Sequence, residues 1–136
     1  MSWDFSFSIR MGIVQDQFGL RLPITLSVAG QEIEARAYLD TGATYCVIPR
    51  ETGERLGLDV EAGEPTSIRT GGGPMLAFLH YANLTIDELF FEDVPICVAK
   101  YPEFDRIMLG REGWLQKVRL NLIAYEDSLY LNLHGQ

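Results

Sequence analysis

A carboxylate stands between an apolar strand pattern and a turn of small residues in the segment Leu39-Asp40-Thr41-Gly42-Ala43. Residues 37–39 predict the end of a half-buried strand, and apolar pairing resumes at residues 47–49. Aspartate is unfavourable inside strands, so its position between two apolar runs needs a reason. Gly42 allows a sharp reversal, and Thr41 supplies a hydroxyl that both donates and accepts hydrogen bonds. The segment predicts a carboxylate at the floor of a cleft; a turn in which Asp40 caps local amides is the alternative.

A glycine-rich hairpin pattern follows between residues 66 and 78. Two β-prone arms flank a triple glycine, which predicts a mobile hairpin whose tip uses backbone conformations open to glycine. A phosphate-binding loop is disfavoured because no Lys-Ser/Thr follows and no helix pattern begins there. An ordinary flexible surface turn is the alternative. The tip of the predicted hairpin consists of Thr70, Gly71, Gly72, Gly73 and Pro74.

A second apolar segment, Ile107-Met108-Leu109-Gly110-Arg111, ends in glycine and arginine. Beyond it, apolar residues recur at helical spacing with polar residues between them, which predicts a short helix near the end of the chain. Taken alone, this is the pattern of a buried strand that leads into a helix. The residues with helical spacing are Trp114, Leu115, Val118 and Leu122.

The rest of the chain alternates in the manner of strands, with a short helix expected over residues 50–58. Pro95 is expected at a sheet edge, because proline has no amide hydrogen for the ladder. The last two strands are expected to form a hairpin, joined by Glu126-Asp127. The expected strands cover residues 5–14, 20–28, 32–39, the second hairpin arm through 85, 90–98, 107–109, 120–125 and 128–133.

Together, these segments resemble the motifs of the aspartic proteases, in particular the single-domain retropepsin-like branch. Asp-Thr-Gly-Ala resembles the active-site motif, and the apolar segment ending in Gly-Arg resembles the second signature. The glycine-rich hairpin lies between them, where the family carries its flap. The matched features extend from about residue 39 to residue 115. The resemblance implies one domain over residues 1–136, an all-β, mainly antiparallel, retropepsin-like acid protease barrel with a flap hairpin and one short C-terminal helix.

The resemblance also implies a role for each residue of the first motif. Asp40 would be the catalytic carboxylate, and Thr41 would carry a hydroxyl that reaches across a dimer axis. Gly42 would keep the turn open and bond to the substrate main chain, and Ala43 is small enough not to crowd the cleft.

The second signature and the hairpin have implied roles as well. Met108, Leu109 and Gly110 would brace the active-site turn from behind, and the tip residues 70–74 would cover the substrate and exclude water. Many dimeric viral members carry an aspartate directly after Asp-Thr-Gly-Ala, where it pairs with the arginine after the second signature. Thr44 stands at that position here, so Arg111 loses its usual local partner; pairing with another carboxylate and simple solvation are the alternatives.

The implied chemistry sets the expected oligomeric state. Water-activating aspartic proteases use two facing carboxylates that share one proton, one as base and the other as hydrogen-bond donor to the scissile carbonyl. The chain has one Asp-Thr-Gly, and neither Asp16-Gln17 nor Asp127-Ser128 has the glycine or the strand setting. The second aspartate must therefore come from a second copy. We expect a homodimeric endopeptidase acting on polypeptide.

Composition limits the other possibilities. A length of 136 residues, 47% of them hydrophobic, fits one domain with a proper core. A net charge of −8 without a basic stripe disfavours a nucleic-acid partner. No stretch has membrane-spanning length, and the start lacks the pattern of a secretory signal, so no membrane partner and a cytoplasmic location are expected. Cys46 and Cys97 lie in apolar contexts without metal spacing, which predicts reduced core thiols, no metal and no cofactor.

Two other functions remain open at this stage. One is a catalytically silent peptide-binding or dimerisation module with the same fold; the intact Asp40-Thr41-Gly42 favours the enzyme, since binding alone does not require paired, mutually repelling carboxylates. The other is a maturation protease excised from a longer polyprotein, against which Met1 and the lack of linker sequence argue mildly.

Overall fold

The computed structural model describes residues 6–133, which form eleven strands and one α-helix. Alternating apolar residues and short polar turns explain the predominance of strands. The helix α1 spans Arg50–Arg55 and begins directly after Pro49, whose missing amide hydrogen costs nothing at that end. The strands are β1 Ile9–Gly12, β2 Val14–Asp16, β3 Gly19–Val28, β4 Gln31–Leu39, β5 Cys46–Ile48, β6 Glu64–Thr70, β7 Gly73–Ile86, β8 Leu89–Ala99, β9 Met108–Leu109, β10 Val118–Ile123 and β11 Ser128–Leu133.

Eight strands form one sheet in the order β2-β3-β4-β9-β5-β8-β7-β6. The sheet closes on itself because β3 also pairs with β7, with Leu26 opposite Leu84. Most neighbours are antiparallel, but β4 with β9 and β5 with β8 are parallel. The all-β, retropepsin-like barrel predicted from the sequence is therefore confirmed. The barrel interior is apolar, and its fully buried side chains include Leu22, Leu26, Ile48, Leu84, Ile86, Ile96 and Leu109.

The two ends of the described chain meet in a second, three-stranded sheet of order β1-β11-β10. Leu129 and Leu131 of β11 are completely buried and join this sheet to the main core. Asn132 fixes the incoming chain, because its Oδ1 accepts a hydrogen bond from the Ser8 amide at 2.6 Å. The strand β10 lies at the edge of this sheet, and the predicted terminal hairpin of β10 and β11 is confirmed.

The helix predicted from Trp114, Leu115, Val118 and Leu122 is wrong in its extent. Only a 3-10 turn over Leu115–Lys117 forms, and the chain then enters β10. Val118, Leu120 and Leu122 also satisfy the two-residue period of a strand, and pairing with β11 supplies the ladder that decides between the two periods. The α-helix of this fold is α1, which occupies part of the helix expected over residues 50–58.

Two further expectations need adjustment. The first alternating stretch is divided into β1 and β2, and its expected start at Phe5 lies outside the described residues. Pro95 lies in β8, which is an inner strand, but it pairs only with Tyr81 on β7, since pairing with β5 begins at Ile96. Proline therefore stands where the ladder does not need its amide.

Within residues 6–133, no helix is both long enough and apolar enough to cross a membrane.

Candidate active site

The segment that follows β4 is held by the short strand β9, which lies between β4 and β5. Leu109 pairs with Leu39 of β4, which runs parallel to β9, and Met108 pairs with Val47 of β5, which runs antiparallel to it. β4 and β5 are consecutive in the chain, so the loop that joins them, residues 40–45, must pass over the end of β9. This crossing places Asp40 directly beside the second apolar segment, as the resemblance implied.

Backbone hydrogen bonds attach this loop to β9 and the residues after it. The Asp40 amide donates to the Leu109 carbonyl at 2.9 Å, and the Arg111 amide donates to the Ala43 carbonyl at 3.0 Å. The Glu112 amide donates to the Thr44 carbonyl at 2.9 Å. Both ends of the loop are therefore fixed by main-chain bonds that do not depend on side-chain identity.

Gly110 makes this crossing possible because it has no side chain. A Cβ atom there would lie 2.4 Å from the Tyr45 carbonyl oxygen and 2.8 Å from that of Ala43. The Gly110 carbonyl in turn accepts a hydrogen bond of 2.7 Å from Nε1 of Trp114, which is completely buried. The role of Trp114 is thus to anchor the crossing from the core side.

Asp40 is half-buried at the start of the loop, and its carboxylate is bonded locally. The Gly42 amide donates to Asp40 Oδ1 at 3.0 Å, and the Ala43 amide donates to the Asp40 carbonyl at 3.2 Å. The Asx turn considered as the alternative is therefore present. It is compatible with the predicted site, because only one carboxylate oxygen is engaged and the side chain still faces an open cavity.

This cavity is a cleft of about 700 Å³ between three segments of the chain. The loop after β4 forms its floor, the first arm of the β6–β7 hairpin lies on one side, and the loop before β9 lies on the other. The wall is partly apolar, because Val47, Ile68, Phe104 and Met108 belong to a small cluster around buried Ala77 and Cys97. A cleft with a carboxylate floor and apolar walls is suited to a chain that carries both polar backbone and apolar side chains.

The predicted site residues are brought together in part. Asp40, Gly42, Ala43, Met108, Thr70 and Gly71 line the cleft, whereas Leu109 and Gly110 are buried behind its floor. Thr41 is exposed and does not line the cleft of a single chain, and neither do Gly72, Gly73 and Pro74. The cleft-lining residues that the sequence analysis missed are Thr44, Tyr45, Val47, Thr66, Ser67, Ile68, Arg69, Glu103, Phe104, Asp105 and Arg106.

The hairpin tip is a two-residue turn, Gly71-Gly72, closed by the pair Thr70 and Gly73. The Thr70 hydroxyl donates to the Gly73 carbonyl at 2.8 Å and accepts from the Gly72 amide at 3.2 Å. Of the three tip glycines, Gly73 alone has a positive φ, at +109°. The backbone requirement predicted for the triple glycine is therefore located at its last residue.

A cluster of aromatic rings and charges adjoins the cleft at the turn between β2 and β3. The guanidinium of Arg106 lies 3.7 Å from the centre of the Phe18 ring and 5.9 Å from that of Tyr38. The Tyr38 hydroxyl donates to Asp16 at 2.7 Å, and Arg21 lies 3.3 Å from the same carboxylate. The hydrogen bond from Tyr38 lowers the pKa of Asp16 and raises the pKa of Tyr38.

Arg111 and the two cysteines complete the surroundings of the site. Arg111 Nη2 donates a long hydrogen bond of 3.5 Å to the Thr44 hydroxyl, so Thr44 replaces the carboxylate found there in many dimeric viral members.

Cys46 and Cys97 are free and buried, and burial raises the pKa of each thiol to about 11. Protonated, enclosed thiols are not nucleophiles. Among residues 6–133, no three His, Cys, Asp or Glu side chains are grouped around a possible metal position.

Comparison with known proteins agrees with this geometry. The family model described as aspartyl protease matches residues 24–112, and the chain belongs to this family. A retropepsin-like aspartic protease from Rickettsia conorii has a similar fold, with a TM-score of 0.63, 20% identity, and coverage of 97% of this chain and 98% of that one. EIAV protease, solved with the inhibitor HBY-793, has a TM-score of 0.51 and 21% identity over 67% of this chain and 80% of that one. No curated protein matches the sequence.

The crossing at Gly110 gives a testable prediction for stability. We expect Gly110→Ala to lower the free energy of unfolding by about 3 kcal/mol, because the new Cβ would overlap the Tyr45 and Ala43 carbonyl groups, and the Ala43 carbonyl cannot move without losing its hydrogen bond from Arg111. Urea unfolding at one fixed protein concentration measures this change. Gly12→Ala is the matched control, since no atom in the described part of the chain lies within 4 Å of its added Cβ. Equal stability of the two variants would contradict the prediction.

Proposed function

We propose that this chain is a homodimeric aspartic endopeptidase in which each subunit contributes Asp40 to one shared site. The observation that carries the proposal is the position of Asp40, held at the floor of a cleft by β9 and facing the β6–β7 hairpin. Membership of the aspartyl protease family supports the same reaction class. The substrate class follows from the cleft, which is open and lined by both polar and apolar groups.

In the proposed mechanism, two Asp40 carboxylates share one proton. The ionised carboxylate takes a proton from water as the water attacks the scissile carbonyl, and the protonated one donates a hydrogen bond to that carbonyl oxygen. The tetrahedral intermediate then collapses as the carboxyl group that took the water proton gives it to the amide nitrogen. The C–N bond breaks, the amine leaves, and the two Asp40 carboxylates again share one proton. The main-chain bonds that fix the loop after β4 would keep the two carboxylates at a constant separation and orientation. Catalysis by two groups acting together requires such a fixed geometry.

Two features support assembly of two copies. Thr41 is exposed next to Asp40 and, within residues 6–133, its side chain makes no hydrogen bond, so it is available to a second copy. Within residues 6–133, the strand β10 pairs on one side only, with β11, and its Leu122 is 39% exposed. Unpaired sheet edges favour addition of further strands. We therefore place much of the interface in residues 120–133.

The β6–β7 hairpin is proposed as the flap that covers bound peptide. Its first arm and the tip residues Thr70 and Gly71 line the cleft. Within residues 6–133, no atom beyond the immediate chain neighbours lies within 4 Å of a Cβ added at Gly71 or Gly73. A segment with few packing contacts at its tip opens at low cost and closes over the substrate to exclude water.

The first prediction for this function concerns Asp40→Asn. The amide has nearly the same shape as the carboxylate but cannot share the proton, so we expect loss of peptide cleavage with retention of fold. Digestion of an extended peptide library across pH measures the activity, and circular dichroism measures the fold. Full cleavage by a folded variant would remove Asp40 from the mechanism. Binding of peptides by the native chain without cleavage would favour the silent peptide-binding module.

The second prediction tests the shared site. When native chain is refolded with an excess of Asp40→Asn chain, activity should fall approximately as the square of the native fraction, because mixed dimers hold half a dyad. Dilution below the dimer dissociation constant should lower specific activity for the same reason. Glu103→Gln and Asp105→Asn are the controls, since these are the other carboxylates that line the cleft. Activity proportional to the native fraction, or lost in either control, would place the second carboxylate within one chain.

The third prediction concerns the proposed flap. Gly73→Ala strains a residue at φ +109°, so we expect kcat/KM to fall about tenfold, which corresponds to about 1.4 kcal/mol in the transition state. Gly72→Ala is the matched control, because its φ is not positive and the nearest atom to its Cβ is 3.9 Å away. We expect this control to stay within about twofold of the native rate. Equal activities of the two variants would contradict the flap role and indicate that the hairpin is an ordinary surface turn.

A further inference from the structure

Arg106 is a cation at the cleft whose side chain is held by contact with an aromatic ring. It lies in the loop between β8 and β9, lines the same cavity as Asp40, and its side chain is 40% exposed. Its guanidinium carbon lies 3.7 Å from the centre of the Phe18 ring, a cation–π contact that restricts the side chain. A long, flexible side chain held in this way loses little further entropy when it binds a ligand.

This contact leaves the hydrogen-bond donors of Arg106 available. Within residues 6–133 the Arg106 guanidinium donates no hydrogen bond, so its N–H groups can bind a ligand. Within residues 6–133 its one ion pair is with Asp105, at 3.8 Å from Nε to Oδ1, which is beyond hydrogen-bond distance, and Asp105 is 82% exposed. Such an exposed, long pair is weak and readily exchanged.

Arg106 and Asp40 line the same cleft, and Tyr38 connects them. Arg106 also approaches Tyr38, at 5.9 Å from the ring centre, and Tyr38 lies two residues before Asp40 along the chain. Two residues of an extended strand span about 6.6 Å, so Arg106 lies near the end of β4 after which Asp40 follows. Tyr38 is held in turn by Asp16, so the platform beneath Arg106 is itself fixed.

We propose that Arg106 is a specificity-determining residue that binds an acidic side chain of the peptide substrate. Planar guanidinium groups bind carboxylates through two parallel hydrogen bonds, and this pairing favours glutamate over its neutral isostere glutamine. The whole chain carries a net charge of −8, so any preference for an acidic peptide must come from a local cation. In the proposed dimer each subunit supplies one Arg106, which places one such subsite on each side of the scissile bond.

The inference rests on the proposed function for its site, and peptide pairs that differ only by Glu and Gln test it. We expect native enzyme to cleave the Glu peptide about tenfold faster in kcat/KM at low salt, with a smaller ratio in 0.5 M salt. Arg106→Gln should bring the ratio to about 1, and Arg106→Glu should reverse it in favour of a Lys peptide. Arg55→Gln is the charge-matched control on α1, and it should leave the ratio unchanged.

A binding arm separates this inference from the proposed function. Affinities of the same peptides for Asp40→Asn, with and without Arg106→Gln, report the pairing without any cleavage. Cleavage by native enzyme with no preference for Glu, or with a preference for Lys, overturns the inference and leaves the function intact. A Glu preference that survives Arg106→Gln, or that disappears in Arg69→Gln instead, overturns it as well. Tighter, Arg106-dependent binding of the Glu peptide supports it even if native chain cleaves nothing.

Discussion

The close approach of Gly110 to the Tyr45 and Ala43 carbonyl groups is the constraint on which the site depends. β9 is only two residues long, so its own pairing could not fix the relative position of β4 and β5. The missing side chain lets the chain after β9 reach the loop of residues 40–45, where two amides satisfy its carbonyls. Because Trp114 holds Gly110 from the opposite side, the position of Asp40 is determined by the core of the barrel rather than by the surface.

The two sides of the cleft differ in how firmly they are held. The floor is tied by main-chain bonds and backed by fully buried residues, whereas the tip of the β6–β7 hairpin has open space around it. Catalytic groups need fixed geometry, and a substrate cover needs to move, so this distribution of packing suits a hydrolase that closes over its substrate. The same contrast explains why Gly73 is needed for backbone conformation and Gly110 for space.

Local patterns in the sequence predicted the strands, the hairpin and the Asp40 turn, because each depends on residues that are neighbours in the chain. The helix after Gly110 was predicted wrongly because Val118 and Leu122 satisfy two periods, and only pairing with β11 selects the strand. The wall formed by residues 103–106 could not be predicted, since that loop has no periodicity and reaches the cleft through tertiary contacts. Likewise, no local pattern indicated that Phe18, far away in the chain, would contact Arg106.

The size of the cleft connects these observations to the proposed dimer. A cavity of about 700 Å³ is within the usual range of pockets for small ligands, whereas an extended peptide needs a longer groove. A two-fold axis beside the exposed Thr41 would join two such clefts end to end, with both Asp40 side chains at the junction. Every residue of the wall would then act twice along the peptide, once in each direction from the scissile bond. A single chain of 136 residues would in this way form a groove that neither copy holds alone.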